Sequence, residues 1–210
     1  MARRTKADAQ VTRNSLLDAA EKLFQARGVS QTSLNDIALA AGTTRGAIYW
    51  HFKDKADLFH AMMERVTLPL EQTLAAPEDP QAGDPVAQLR AAHQETLRLI
   101  ATDAQTQRVL AIAMHKMEYT DEFNGLQSHH LGVHRQCVQR NQEALARAFA
   151  ARQQRPPVPL DSAALGLQVL LEGLVNQWLL DTAAFDLVAT GTTLLQLYLG
   201  GLGLAAPASA

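Results

Sequence analysis

Apolar residues recur along the chain at three- and four-residue intervals, and no stretch sustains the period of two that a half-buried strand requires. Leu16, Leu17, Ala20, Leu23 and Phe24 form one face of a first helix over residues 9–27, ended by Gly28. Leu34, Ile37, Ala38 and Ala41 mark a short second helix, and Gly42 follows where a helix end needs a residue tolerant of positive φ. Thr43 or Thr44 then offers a hydroxyl to cap a third helix over 45–52. Asp54, with Asp57 three residues on, opens a fourth over 54–76; Pro69 within it is a residue that kinks or shortens helices. The run PEDPQAGDP (77–85) is a loop, and Pro85 suits the first turn of a fifth helix ending near 101. Further helices are predicted over 104–118, from a cap at Thr120 or Asp121 to 153, from a cap at Asp161 to 180, and over 185–203. RQQRPPVP (152–159) interrupts the chain before the eighth. The pattern predicts an all-α fold of nine helices, divided into an N-terminal three-helix domain (1–53) and a larger C-terminal helical domain (54–210).

The second and third helices carry the clearest chemistry. The third is only two turns long and presents Arg45, Tyr49, Trp50 and His51, a set poorly suited to a core. It fits a helix-turn-helix whose second helix enters the DNA major groove. Arg45, just past the presumed cap Thr44, sits where a guanidinium pairs with guanine O6 and N7 or clamps a phosphate. Gly46 allows close approach of backbone to the duplex, and Tyr49 and His51 carry polar tips toward phosphates. Trp50 either leans on the sugar-phosphate backbone or packs on the first helix. Ala47, Ile48 and Phe52 are expected to anchor the helix on its partners. Thr32 and Ser33 open the second helix, where free N–H groups favour phosphate, a role compatible with simple N-capping. Arg3, Arg4 and Lys6 form a basic arm that lies along phosphates or in the minor groove, or is simply solvated.

The segments LFQARGVSQTSLNDIA (23–38), TRGAIYWHFKDKADL (44–58) and HKMEYTDEF (115–123) resemble the TetR family of bacterial transcription repressors, most strongly its multidrug-efflux-pump repressor branch. The first 60 residues carry most of the resemblance; the rest is similar mainly in helix layout. It implies a homodimer that binds a pseudo-palindromic operator and releases it on binding a lipophilic or amphipathic small molecule. It also implies that Lys55 is directed at DNA phosphate; Lys53 is less tied to that pattern. A TetR-like regulator of metabolic or signalling genes is the nearest alternative. A helical enzyme or ligand carrier with a vestigial helix-turn-helix is the alternative from another class, and the intact Thr44, Arg45, Tyr49, His51 and Lys55 set argues against it.

Charge distribution agrees. The formal net charge is −2, yet residues 1–55 carry nine Lys/Arg against five Asp/Glu while the remainder carries ten against sixteen. A basic front and an acidic rear suit DNA contact by the N-terminal part alone. The single cysteine, Cys137, excludes an intramolecular disulfide and suits a reducing cytoplasm; no apolar segment follows the basic N-terminus as in a signal peptide. The 24 residues after Asp186 lack charge, but threonines, Gln196 and the glycines Gly200, Gly201 and Gly203 interrupt them, so an interface helix with a Gly/Ala-rich tail is expected rather than a membrane span.

No nucleophile motif or glycine-rich phosphate loop is present, so neither an enzymatic activity nor a cofactor is expected. His129, His130 and His134 cluster without an acidic partner at metal-ligand spacing, and they read as a solvated or pocket-edge group. Leu110, Ala113, Met114 and Met117 share a face of the sixth helix, and methionine adapts to ligands of varied shape. Gln168, Leu171, Glu172 and Val175 share a face of the eighth. From the residues alone this face is equally a pocket or ordinary core with a polar edge. The resemblance, which implies an effector cavity here, favours the pocket, with Thr96 and Cys137 as further lining residues and Gln168 and Glu172 orienting the ligand, a cationic one at Glu172. The opposite faces, with Val169, Gly173, Leu174 and Gln177 on the eighth helix and Leu194, Leu195 and Tyr198 on the ninth, are expected to pair two subunits as a four-helix bundle.

Overall fold

The structure is a computed structural model and describes residues 6–74, 83–118 and 124–205, with backbone alone for Leu74 and 124–130. Among the described residues there are nine α-helices and no strand: α1 (Lys6–Arg27), α2 (Leu34–Ala40), α3 (Arg45–His51), α4 (Lys55–Leu74), α5 (Pro85–Thr102), α6 (Ala104–His115), α7 (Asn124–Ala151), α8 (Leu160–Leu180) and α9 (Leu187–Gly201). The basic arm at Arg3 and Arg4, and the proposed caps Thr120 and Asp121, lie outside the described residues.

Local chemistry sets most boundaries. Ser33 caps α2 through a capping box: its Oγ accepts from the Asp36 N–H, and the Asp36 carboxylate accepts from the Ser33 N–H at 3.0 Å. Gly42 takes φ +67°, the left-handed turn that separates α2 from α3. Thr44 caps α3 by accepting from the Ala47 N–H at 3.2 Å. Asp54 caps α4 by accepting from the Asp57 N–H at 2.8 Å, and α4 continues through Pro69 to Leu74. Two expectations are corrected. Asp161 does not cap α8; the Pro159 carbonyl already accepts from the Ala163 N–H, so the helix begins at Leu160 and Asp161 lies in its first turn. The last helix starts at Leu187 because the cap is Asp186, which accepts from the Ala189 N–H at 2.9 Å. At 15 residues α9 falls short of a bilayer's thickness. Only α8, among the described residues, has the length and composition to cross one, and 39% of its apolar window is buried inside the protein.

The chain forms two compact units. The first comprises residues 1–68 and 105–128, the second 69–104 and 129–210. In the first unit, Leu16, Leu17, Ala20 and Phe24 of α1 meet Ile37 of α2, Ile48 of α3, Leu58 and Met62 of α4, and Val109 and Ile112 of α6 in one core. In the second, Leu89 of α5, Leu145 and Phe149 of α7, Leu167 of α8 and Leu195 and Leu199 of α9 form another. There α9 lies so close to α5 that a Cβ on Gly191 would collide with Leu97.

Candidate functional site

Within the first unit, α3 is anchored from below and open above. Ile48 and Phe52 are buried, the latter also covered by the Arg13 guanidinium at 5.1 Å from its ring centroid. The opposite surface carries exposed Thr44, Arg45, Gly46, Tyr49 and Trp50, with His51 half-buried at its end. Arg45 stacks over the Tyr49 ring at 5.8 Å, which pre-orders its guanidinium. Trp50 is 73% exposed and meets the His51 ring edge-on, so of its two expected settings the packed one does not occur. Ser33 is exposed beside this surface.

Two residues expected at this surface lie elsewhere. Thr32 is buried, its hydroxyl donating to the Gly28 carbonyl at 2.9 Å and thereby closing the turn after α1. Lys55 is also buried, its ammonium donating to the Val29 carbonyl at 3.2 Å. Both are drawn inward because the turn between α1 and α2 exposes carbonyls that need donors. The same turn is held from α6, with the Val29 N–H donating to the Lys116 carbonyl at 3.1 Å and Ser30 Oγ to Glu118.

Beneath the turn lies a feature the periodicity did not mark. Glu21 is only 3% exposed. Its Oε1 accepts from Gln105 at 2.7 Å and from Arg65 at 3.4 Å, and its Oε2 stands 3.7 Å from Arg108. One carboxylate of α1 therefore gathers α4 and α6. The sequence signal, a glutamate within the apolar stripe of α1, was available but reads equally as an exposed charge.

The residues expected to line an effector cavity fall in both units. Leu110, Ala113, Met114 and Met117 belong to the first. Leu110 is buried, Met114 is partly exposed, and Ala113 and Met117 pack against the first unit's core. Thr96, Cys137, Gln168, Leu171, Glu172 and Val175 belong to the second. There, Val175 is buried, Leu171 packs on the core and Thr96 donates to the Ala92 carbonyl. Cys137 and Gln168 do share a small cavity, whose apolar wall is Leu89, Ala92 and Ala144. Its polar wall includes three residues the sequence did not single out, His93, Arg140 and Asn141. Burial raises the Cys137 thiol, which keeps it protonated and unreactive.

Gln168 and Glu172 are hydrogen-bonded to neighbouring side chains. Asn141 is hydrogen-bonded to His93 and donates to Gln168 at 3.1 Å. Gln168 donates to Glu172 Oε1 at 2.7 Å, and His134 Nδ1 stands 3.1 Å from the same oxygen. The i, i+4 pair thus closes a side-chain chain across α5, α7 and α8. The side chains of His129 and His130 lie outside the description; among the described residues no group of three metal-ligating side chains occurs.

Burial pushes the His93 imidazole below its ordinary value of 6.5. Above that pH it is neutral whether the chain is folded or not. Below it the unfolded chain takes up a proton that the folded one refuses, so stability falls with pH by up to about 1.4 kcal/mol per unit. Chemical denaturation across that range should give a shallower slope for His93→Gln than for wild type; identical slopes would contradict the buried neutral imidazole.

The expected dimer residues also divide. Val169, Gly173 and Gln177 are exposed on α8, in line with Leu165 and Leu180, and Leu197 is 67% exposed on α9. Leu195 points the other way, 1% exposed in the second core, and the Tyr198 hydroxyl donates to the Ala163 carbonyl at 2.7 Å, tying α9 to α8. Leu174 and Leu194 are half-buried.

Comparison with known proteins accords with this geometry. Residues 16–62 match the family model of bacterial regulatory proteins of the tetR family, and residues 84–203 match that of the MAATS-type transcriptional repressor C-terminal region. The chain is 35% identical over 188 residues, 90% of each protein, to the HTH-type transcriptional regulator TtgR of Pseudomonas putida. Among solved structures it is similar to NalD, the secondary repressor of the MexAB-OprM multidrug efflux pump in Pseudomonas aeruginosa. That match has 36% identity and a TM-score of 0.84, covering 94% of this chain and 98% of that one. It is also similar to SmeT in complex with triclosan, at 31% identity and a TM-score of 0.81, covering 95% and 97%. With an all-α fold that carries a helix-turn-helix at its N-terminus, the chain belongs to the TetR family of bacterial transcriptional regulators.

Proposed function

We propose that this protein is a cytoplasmic repressor that binds a pseudo-palindromic operator as a homodimer and leaves it when a lipophilic small molecule binds, controlling a multidrug efflux operon. The observation that carries the reading is the capped two-turn helix α3, held by Ile48 and Phe52 while Arg45, Gly46, Tyr49 and Trp50 face outward. Thr44 and Ser33 supply hydroxyls beside it, and His51 stands at its end. A single helix of this length reads too few bases for affinity, whereas a two-fold dimer reads two half-sites. The apolar surface of α8 and α9 serves that pairing. The effector acts on the second unit by favouring a conformation whose recognition helices no longer match the operator spacing. NalD and SmeT are repressors of multidrug efflux pumps, and the triclosan complex of SmeT supports the effector class.

Selection from random duplexes, followed by gel-shift titration, tests the reading. A palindromic consensus should emerge, with affinity falling steeply as salt rises because neutralised phosphates release counterions. Arg45→Ala should then cost about 1–3 kcal/mol of operator affinity, with an unaltered thermal melt since the side chain is exposed. Unchanged affinity at moderate salt would remove Arg45 from the interface, and failure to select any sequence would overturn the repressor reading.

A further inference from the structure

With Lys55 drawn inward to the Val29 carbonyl, α3 keeps one arginine, Arg45, at its start. A phosphate backbone needs cations at more than one point. A second full charge stands at the other end of the helix, and it comes from α1. The Arg13 guanidinium lies 5.1 Å from the centroid of the buried Phe52 ring, the residue that ends α3. The row continues outward from there: the Phe52 and His51 rings are 6.2 Å apart, and His51 meets the exposed Trp50 edge-on at 4.6 Å.

The partners of Arg13 set it apart from other cations of the first unit. Arg65 is paired with Asp18 and Glu21, and Arg108 with Glu21. Among the described residues Arg13 has the Phe52 ring and no carboxylate or carbonyl partner. A ring takes one face of the planar guanidinium and leaves its five N–H donors uncommitted. None of its nitrogens is a buried orphan, so the donors reach solvent. The half-buried side chain is held in place before any ligand arrives, which lowers the entropy cost of binding one.

Geometry says what that ligand is. Seven residues make α3 about 10 Å long, against a major groove about 12 Å wide. With Arg45 at the N-terminal end on base edges, the C-terminal end falls against the sugar-phosphate backbone. Unpaired carbonyls at that end carry negative partial charge and repel phosphate unless a cation stands beside them.

We propose that Arg13 is a DNA-binding residue, a phosphate clamp supplied by α1 at the C-terminal end of the recognition helix. The proposal rests on the repressor reading and extends its interface from α3 to α1.

The test is fluorescence anisotropy of the full-length protein with two labelled duplexes of equal length, the operator selected from random duplexes and an unrelated sequence, across about 50 to 300 mM potassium chloride. Arg13→Met keeps an unbranched side chain over the Phe52 ring and removes the charge. Two phosphates per dimer lose their cation, so the slope of log affinity against log salt should flatten by about two. At the lowest salt both duplexes should bind about tenfold more weakly or worse, while the preference for operator stays within about threefold. Arg13→Lys, which keeps a charge, should retain the slope. An unchanged slope in Arg13→Met, a slope lost equally in Arg13→Lys, or a lost sequence preference without a change of slope would each overturn the proposal and leave the repressor reading standing. Wild type that binds neither duplex would strike the repressor reading itself. An early melt of Arg13→Met leaves the test decisive, because a constant inactive fraction shifts every point of the plot equally and leaves its slope unchanged.

Discussion

Glu21→Ala is expected to lower the melting temperature by about 6–12 °C, the equivalent of about 3 kcal/mol in a chain of this size. The carboxylate is 3% exposed and faces Arg65, Arg108 and Gln105. Its removal leaves Arg108 and Gln105 without this acceptor, leaves Arg65 with Asp18 at 2.8 Å, and opens a cavity between α1, α4 and α6. Breaking a buried ion pair from one side costs about 3–5 kcal/mol. The lower end applies because the Arg65 and Arg108 side chains are 26% and 39% exposed and regain water. Glu21→Gln, which keeps an acceptor for Gln105 and Arg65 without the charge, should lose about 1 kcal/mol. Thermal denaturation followed by circular dichroism separates the three proteins, and a melt of Glu21→Ala equal to wild type would show the carboxylate to be dispensable. The variant should also bind operator less tightly, because Arg65 and Glu21 help fix α4 to α1, against which α3 packs.

What the sequence disclosed and what it withheld follow from the range of the interactions concerned. Helix number and most ends were legible because caps are local. Ser33 with Asp36, Thr44 with Ala47 and Asp54 with Asp57 each close within three residues. Asp161 misled because a capping residue competes with the carbonyl one turn ahead, and Pro159 had already begun the helix. The recognition helix was legible for a different reason. A two-turn segment that keeps only Ile48 and Phe52 for packing leaves its polar and aromatic residues no core to enter. Long-range partners were opaque. Nothing near Lys55 in the chain indicates the Val29 carbonyl, and nothing near Glu21 indicates Gln105, 84 residues away. The cavity in the second unit failed for the same reason. Gln168 and Glu172 were correctly marked as odd for a core, but Asn141 and His134, which satisfy them, lie on another helix, and His93, which holds Asn141, lies on a third. Leu195 shows the limit of periodicity on a helix that is apolar on nearly every side: the pattern has no polar face to tell core from interface.

Val169→Asp is expected to convert a dimer into a folded monomer and to weaken operator binding at least a hundredfold. Val169 is 56% exposed on α8, between Leu165 at 46% and Gly173, with Leu180 at 61% on the same face. A Cβ on Gly173 would meet nothing within 4 Å, so this part of α8 is open to the close approach of another helix. Among the described residues this apolar stripe stays largely exposed, and the repressor reading assigns it to the pairing of subunits. In a two-fold interface one substitution acts twice, placing a carboxylate on each side of a dry contact. Like charges so placed cost several kcal/mol, and about 3 kcal/mol is already more than a hundredfold in dissociation constant. Because the wild-type side chain is exposed within its own subunit, secondary structure and the second core should survive the change. Operator affinity falls for a geometric reason, since a monomer places one α3 in one half-site and loses the second contact. Light scattering after gel filtration, with gel shifts on the same samples, measures both effects. Val158→Asp, a matched change at 43% exposure in the segment before α8, should remain dimeric and bind operator as wild type. A Val169→Asp protein that stays dimeric, or a monomer that keeps full operator affinity, would place the pairing surface elsewhere than on α8.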